Sequence, residues 1–240
     1  MFEGKRVLAV VPARGGSKGL PRKNLQPLLG RSLIAHVGEC VGAMPLIDRA
    51  VISTDDEAIA AEAEAAGIAA PFRRPANISG DRIGDLEVLL HALNTIEALD
   101  KVEYDVVLML QPTSPLRRPK DVVLTVQRLV KGGFDAVWSV SPTDLKYHPL
   151  KQLLVDPDSG NITLFDESGR DIIARQQLRE IYHRNGVAYA FTRACLLEYE
   201  SIYGGRTGAV VIDHPVISID TKEDLIAAEK IIKDEETFQK

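Results

Sequence analysis

The sequence predicts an α/β fold: a doubly wound, mostly parallel sheet with helices on both faces, residues 1–240 forming one domain. Three observations carry that expectation. Short apolar runs alternate with amphipathic segments through the first 140 residues, the rhythm of strand–helix–strand units. The first run, Val7–Val11, is apolar at every position, as in a strand covered on both faces. A stretch rich in glycine and cations follows it directly, and such sheets bind ligands beyond the carboxyl ends of their strands.

The elements follow in order. The first strand stops at Pro12. Leu33, Ile34, Val37 and Val41 recur at helical spacing, and Ala50–Ser53 reads as a second strand. The Ala/Glu-rich stretch from Glu57 to Ala66 is a helix closed by Gly67. Ile68–Phe72 reads as a short third strand. Leu86, Leu89, Leu90, Leu93 and Ile96 mark one face of a long helix, and Val106–Leu110 is the next strand. Val122, Val123, Val126 and Val130 mark another helix, followed by a strand at Ala136–Val140.

After Ser141 the rhythm breaks. Asp156-Pro157, Gly160 and Gly169 are turn signals between the short runs Leu153–Val155 and Ile162–Phe165, so residues 142–184 read as a hairpin-rich insertion. Sheet patterning resumes at Val187–Phe191 and at Val210–Ile219. A last helix starts near Thr221, with Leu225, Ala228 and Ile232 on one face.

Composition narrows the function. Hydrophobic residues at 45% and charged residues at 26% fit a globular chain and exclude a disordered or coiled-coil one. Lys plus Arg number 29 against 34 Asp plus Glu, a net charge of −5 that argues against a general nucleic-acid binder. Cys40 and Cys195 build no disulfide framework and have no metal-ligand spacing, which fits a reducing, cytoplasmic setting. The apolar run after Lys5-Arg6 is too short for a signal peptide, and no stretch reaches the roughly 18 apolar residues of a membrane span, so neither secretion nor a membrane is expected.

Charge is nevertheless segregated. No acidic residue lies between Gly4 and Gly38, which hold Lys5, Arg6, Arg14, Lys18, Arg22, Lys23 and Arg31. Within it, Pro12–Asn24 contains three glycines, four cations and a serine. Glycines let backbone N–H groups approach an anion and the cations neutralise it, the composition of a triphosphate cradle. The loop is neither a GxxxxGK[ST] phosphate loop, since Gly19 follows Lys18, nor a GxGxxG dinucleotide fingerprint.

Val11–Asn24 resembles the signature of the CMP-sialic acid synthetases, the acylneuraminate cytidylyltransferases. Further matches follow in order: Ser53-Thr54-Asp55, Arg74-Pro75, Gln111-Pro112-Thr113-Ser114-Pro115-Leu116-Arg117, His148-Pro149-Leu150-Lys151, Arg175-Gln176-Gln177-Leu178, Asn185-Gly186 with Tyr189, and Ile219-Asp220-Thr221. The resemblance covers essentially the whole chain. It implies a Rossmann-like sheet of the nucleotidyltransferase type. The implied reaction is Mg-dependent transfer of CMP from CTP to the anomeric hydroxyl of an acidic nine-carbon (nonulosonic) sugar. It also implies a homodimer or tetramer in which the insertion is a dimerisation arm completing a neighbour's site.

The roles transfer residue by residue as implications. Arg14 and Lys23 hold the CTP phosphates with Ser17, Lys18 and the loop backbone at Ala13 and Gly15, while Asn24 and Arg74 contact the nucleoside. Fixed cations suit the chemistry, because negative charge builds toward the departing pyrophosphate. Gln111, Thr113 and Ser114 suit a polyhydroxylated, N-acylated sugar; on the residues alone they equally read as a helix N-cap. Lys151 and Arg175 are candidates for the sugar carboxylate, and Tyr189 packs near the sugar. Asp220 is the expected magnesium ligand, although Asp220 with Glu223 also fits a capping box and Asp55 reads as a helix cap. Three departures stand out. Ser218 occupies the place where the family commonly has a second aspartate, two residues before Asp220 and on the same side of an expected strand. His183-Arg184 replaces a more usual Arg-Pro pair, and Asp85 lies near a position that often carries a small hydroxyl residue. The alternatives are CMP activation of 3-deoxy-manno-octulosonate or another acidic acceptor, and a catalytically weak nucleotide-binding homologue.

Overall fold

The computed structural model describes residues 1–238. The buried apolar run forms β1 (Val7–Pro12). A two-strand hairpin, β2 (Pro27–Leu28) and β3 (Arg31–Ser32), leads into α1 (Leu33–Gly42), where Ser32 Oγ caps the helix by accepting from Ala35 N at 2.9 Å. Next come β4 (Arg49–Ser53), α2 (Glu57–Ala65), α3 (Asp85–Asp100), β5 (Val106–Met109), α4 (Pro119–Gly132) and β6 (Ala136–Pro142). The insertion carries a hairpin of β7 (Leu153–Val155) and β8 (Ile162–Leu164). The chain closes with β9 (Tyr182–Thr192), α5 (Arg193–Leu197), β10 (Thr207–Val211) and α6 (Lys222–Phe238).

The main sheet has six strands in the order β10-β6-β9-β5-β1-β4. All are parallel except β9, which runs antiparallel between β5 and β6. Alternation along β1 explains the two cores. Val7, Ala9 and Val11 face the side covered by α1, α2 and α4, while Leu8 and Val10 face α3 and α5. All five are fully buried. Together they make a doubly wound sheet.

Three expected elements differ. Ile68–Phe72 is not a strand; it touches the sheet through one bridge, Val51 with Ala69. The strand expected at Val187–Phe191 starts earlier, at Tyr182, and is the antiparallel one. A parallel return needs a crossover along a face of the sheet, and residues 142–184 hold a hairpin and short 3-10 turns but no such helix. The strand expected over Val210–Ile219 ends at Val211. Pro215 lies in this stretch and has no N–H to donate to a ladder. The apolar residues beyond are buried without pairing: Val216 packs on the α1 side, and Ile217 and Ile219 join Leu28, Leu33 and Leu225 in a third cluster.

Candidate active site

The loop after β1 leaves the sheet between two strands, with Ala13 N donating to Ser53 O at 3.0 Å. Two contacts shape it: Gly15 N donates to Asp55 Oδ1 at 2.9 Å, and the buried Asn24 donates through Nδ2 to Arg14 O at 3.1 Å. Asp55 therefore anchors the loop, and the cap of α2 is its neighbour Asp56, which accepts from Ala58 N and Ile59 N. Gly19 lies so close to the Asp220 segment that a β-carbon there would sit 2.9 Å from Asp220 O. The loop thus bends over the carboxyl ends of the strands. It walls a cavity of about 520 Å³ to which Arg14, Ser17, Lys18, Lys23 and Asn24 contribute. Arg74, Asp81, Asp85, Gln111, Thr113, Ser218 and Asp220 are among the residues that wall it from the rest of the chain.

Each cation has a defined neighbour. Arg14 Nη1 is 2.6 Å from Asp81 Oδ1, and Lys18 pairs with the other oxygen of the same carboxylate. Hydrogen bonds from Lys18 and Arg14 hold the Asp81 carboxyl below the usual carboxylate range. Lys23 Nζ is 2.7 Å from Asp220 Oδ1. Arg74 is buried, 7% exposed, and donates through Nη2 to Ser53 O at 2.5 Å, whereas its Nε has no partner among the described residues. A buried guanidinium N–H left unpaired on a cavity wall is a donor suited to a ligand.

A second, smaller compartment of about 200 Å³ adjoins the first and shares Asp85, Gln111 and Ser218 with it. Arg184, Asn185, Gly186 and Tyr189 line the remainder. Tyr189 accepts from Gly186 N at 2.7 Å, and burial raises its phenol above the ordinary value, so the hydroxyl keeps its proton as a donor. Burial also raises the Asp85 carboxyl, opposed by the charge of Arg184. Gly186 has φ +72°, and a β-carbon there would meet Gln111 Oε1 and Ser114 Oγ at 2.5 Å. Glycine is required at this wall by both conformation and space.

Asp220 is free of capping duty. Asp224 Oδ2 accepts from Asp220 N and Thr221 N at 2.9 and 2.8 Å, and Thr221 Oγ1 accepts from Asp224 N at 3.2 Å. Thr221 and Asp224 therefore form the capping pair of α6, not Asp220 and Glu223. The Asp220 side chain is 68% exposed beside the loop cations. Ser218 and Asp220 both line the cavity although neither lies in a strand; their common orientation follows from Ile219 between them, fully buried and donating through its N–H to Thr113 O at 2.8 Å. No group of three or more His, Cys, Asp or Glu is arranged to hold a metal among the described residues. One exposed carboxylate beside a cluster of cations able to take phosphate does suit Mg²⁺, which takes one or two carboxylates and completes its shell with phosphate oxygens and water.

Several candidates lie elsewhere. Ala13 is core and Gly15 is committed to Asp55, so neither brings a side chain to the cavity. Ser114 is fully buried and donates to Asn185 O at 2.7 Å; it braces the wall and does not line it. Arg175 lines a separate groove with Thr143, Asp144 and Tyr182, and Lys151 is exposed on the insertion. Two residues with structural weight escaped the sequence reading. Asp81 follows a Ser-Gly turn and has no distinguishing spacing. Arg117 was visible as the last residue of the Gln111–Arg117 motif, an arginine with no acidic neighbour in that motif. Buried at 7% exposure, it donates to Gln111 O, Gly186 O and Val187 O, tying the walls of the two compartments together.

Comparison with known proteins accords with this geometry. The family model described as cytidylyltransferase matches residues 8–237. The chain is 33% identical over 230 residues to the CMP-N,N'-diacetyllegionaminic acid synthase of Legionella pneumophila, covering 95% of this chain and 97% of that one. It is 29% identical over 227 residues to a pseudaminic acid cytidylyltransferase of Campylobacter jejuni, covering 94% and 96%. Among solved structures, CMP:2-keto-3-deoxy-manno-octonic acid synthetase complexed with CTP superposes with a TM-score of 0.67 at 20% identity, over 96% of this chain and 99% of that one. The fold is therefore that of nucleotidyltransferases, and with a family match spanning nearly its whole length the chain belongs to the cytidylyltransferase family.

Proposed function

We propose that this protein transfers CMP from CTP to the anomeric hydroxyl of a nonulosonic acid, giving a CMP-sugar and pyrophosphate. The observation that carries the reading is the pair of adjoining compartments, one walled by Arg14, Lys18, Lys23 and Arg74, the other by Gln111, Asn185, Tyr189 and Ser218 with one cation, Arg184, and one carboxylate, Asp85, among the described residues. The relatives named for legionaminic and pseudaminic acids support the acceptor class.

In this reading the triphosphate displaces Asp81 from Arg14 and Lys18, and Arg74 turns its unpaired Nε to the nucleoside side with Asn24. The anomeric hydroxyl attacks the α-phosphorus and gives up its proton to water, the bond from the α-phosphorus to the bridging β-phosphate oxygen breaks, and pyrophosphate leaves toward the loop cations. Charge grows on that leaving group in the transition state, so Arg14, Lys18 and Lys23 favour it over the ground state. Asp220 is the residue that would hold Mg²⁺, and the ion would supply Lewis-acid stabilisation of the charge on the phosphates. Gln111, Thr113 and Tyr189 hold the acceptor.

Lys151 and Arg175 enter through assembly. The insertion exposes Leu153, Leu154, Val155, Ile162, Phe165 and Ile173, the last at 90%. Contiguous apolar exposure of this kind marks a protein interface. A homodimer built on that arm carries both cations toward the partner's site. The protein belongs in the cytoplasm, with its CTP.

The test is pyrophosphate release with CTP and Mg²⁺ across N,N'-diacetyllegionaminate, pseudaminate, N-acetylneuraminate and 3-deoxy-manno-octulosonate. Turnover with one nine-carbon acid, lost in Asp220→Asn, is the expected result. Turnover with the octulosonate alone moves the acceptor to that class, and CTP binding without any turnover marks a nucleotide-binding homologue.

A further inference from the structure

We propose that Arg184 binds the carboxylate of the acceptor within the same chain that holds the nucleotide, which makes it a determinant of acceptor specificity. The inference rests on the functional reading above and deepens it. Among the described residues, Arg184 is the one cation on the wall of the smaller compartment. It does not line the larger cavity, whereas Asp85, Gln111 and Ser218 line both. An acceptor anchored at Arg184 therefore keeps its negative charge on the side away from the triphosphate.

The backbone presents this residue by an irregularity in the sheet. Trp138 pairs with Tyr189 and Val140 with Arg184, so Ser139 alone faces the four residues between them on β9. The excess chain bulges toward the compartment. Asn185 fills the bulge with its whole amide: Oδ1 accepts from Ser139 Oγ at 2.6 Å and Val187 N at 3.1 Å, and Nδ2 donates to Ser141 Oγ at 3.0 Å. Arg184 stands at the mouth of this braced segment.

Its guanidinium is positioned without consuming its donors. The guanidinium carbon lies over the Trp138 ring, 5.1 Å from its centroid, and that ring also meets the tilted rings of Tyr189 and Tyr203 at 5.6 and 4.7 Å. Stacking on an indole face orients a guanidinium and leaves its edge N–H groups free. Arg184 has no salt bridge and no side-chain hydrogen bond among the described residues. Arginine is also the cation that meets a carboxylate through two parallel hydrogen bonds. Arg175, the competing candidate, lies in a separate groove of this chain and meets an acceptor only across the proposed homodimer.

The test compares each acceptor acid with its methyl ester, using wild type, Arg184→Gln, Arg184→Lys and Arg175→Gln. Wild type prefers the acid; Arg184→Gln lowers kcat/KM for the acid about tenfold or more, the range of a lost charge-assisted contact, and leaves the ester and the KM for CTP within threefold. Arg184→Lys recovers part of the preference. Arg184 is exposed, so the thermal midpoint stays near wild type. Unaltered discrimination in Arg184→Gln, or its loss in Arg175→Gln alone, overturns the inference while the functional reading stands. Absence of turnover by wild type with every acid overturns both.

Discussion

Replacing Arg117 tests whether the two compartments are held by one buried group. Its guanidinium donates to Gln111 O at 2.6 Å, to Gly186 O at 3.0 Å and, through Nε, to Val187 O. Burial pushes its pKa down to about 10, so it remains charged at neutral pH with three carbonyls around it. Removing the side chain leaves those carbonyls without their donor, two of them at buried hydrogen bonds. Each unsatisfied buried group costs about 1–3 kcal/mol, partly offset because the desolvation of the buried cation is also relieved. The net expectation for Arg117→Ala is a loss of about 2–5 kcal/mol. At roughly 2–4 °C per kcal/mol for a chain of this size, the thermal midpoint falls by about 4–20 °C. Arg117→Lys should lose most of the same stability, since an ammonium cannot reach three carbonyls on the guanidinium's plane. Because Gln111 and Gly186 flank the smaller compartment, the proposed acceptor site, acceptor KM should rise more than CTP KM in whatever folded fraction remains. Chemical denaturation and steady-state kinetics read both effects. A loss below about 1 kcal/mol in both variants, with kinetics unchanged, would refute the reasoning.

Other expectations follow from the same geometry. Gly186→Ala forces a side chain into φ +72° and against Gln111 Oε1 and Ser114 Oγ, so denaturation should show a loss of about 2 kcal/mol or more. Acceptor KM should rise with it. Asp81→Asn removes the carboxylate that shares Arg14 and Lys18, and calorimetry should find tighter CTP binding than in wild type; weaker binding would mean that Asp81 assists the nucleotide. Burial raises the Cys195 thiol to about 11 and moves Cys40, Tyr104 and Tyr189 in the same direction. Groups raised in the folded state stabilise it below their unfolded values, so unfolding free energy should hold up to about pH 9 and fall above it. Thiol titration at pH 8 should correspondingly find Cys40 and Cys195 slow to react until the protein is denatured.

Much of the site was legible because its chemistry needs particular residue types close together in the chain. The cradle after β1 concentrates glycine and cations within Pro12–Asn24, and its place after an all-apolar strand located it at the sheet's carboxyl edge. Asp220 was legible as a carboxylate returning to that edge, but its freedom from capping was not, since Asp224 and Glu223 lie one position apart and only the turn of the chain selects between them. Asp55 and Asp56 were ambiguous in the same way.

Local pattern by itself determined the alternation of strands and helices, the two-faced burial of β1 and the ligand loop, because side-chain periodicity and backbone freedom are properties of neighbouring residues. Pairing was decided only in three dimensions. The reversal of β9 depends on what the insertion lacks, a crossover helix. The end of β10 at Val211 depends on whether a neighbouring ladder exists to receive Ile212–Ile219. The ties from Arg117 to Gly186, from Asp81 to Arg14 and from Lys23 to Asp220 join residues about 70 to 200 positions apart. Such contacts leave no periodic trace, since a buried hydrogen bond or ion pair is satisfied by whichever groups the folded backbone brings within 3 Å or so.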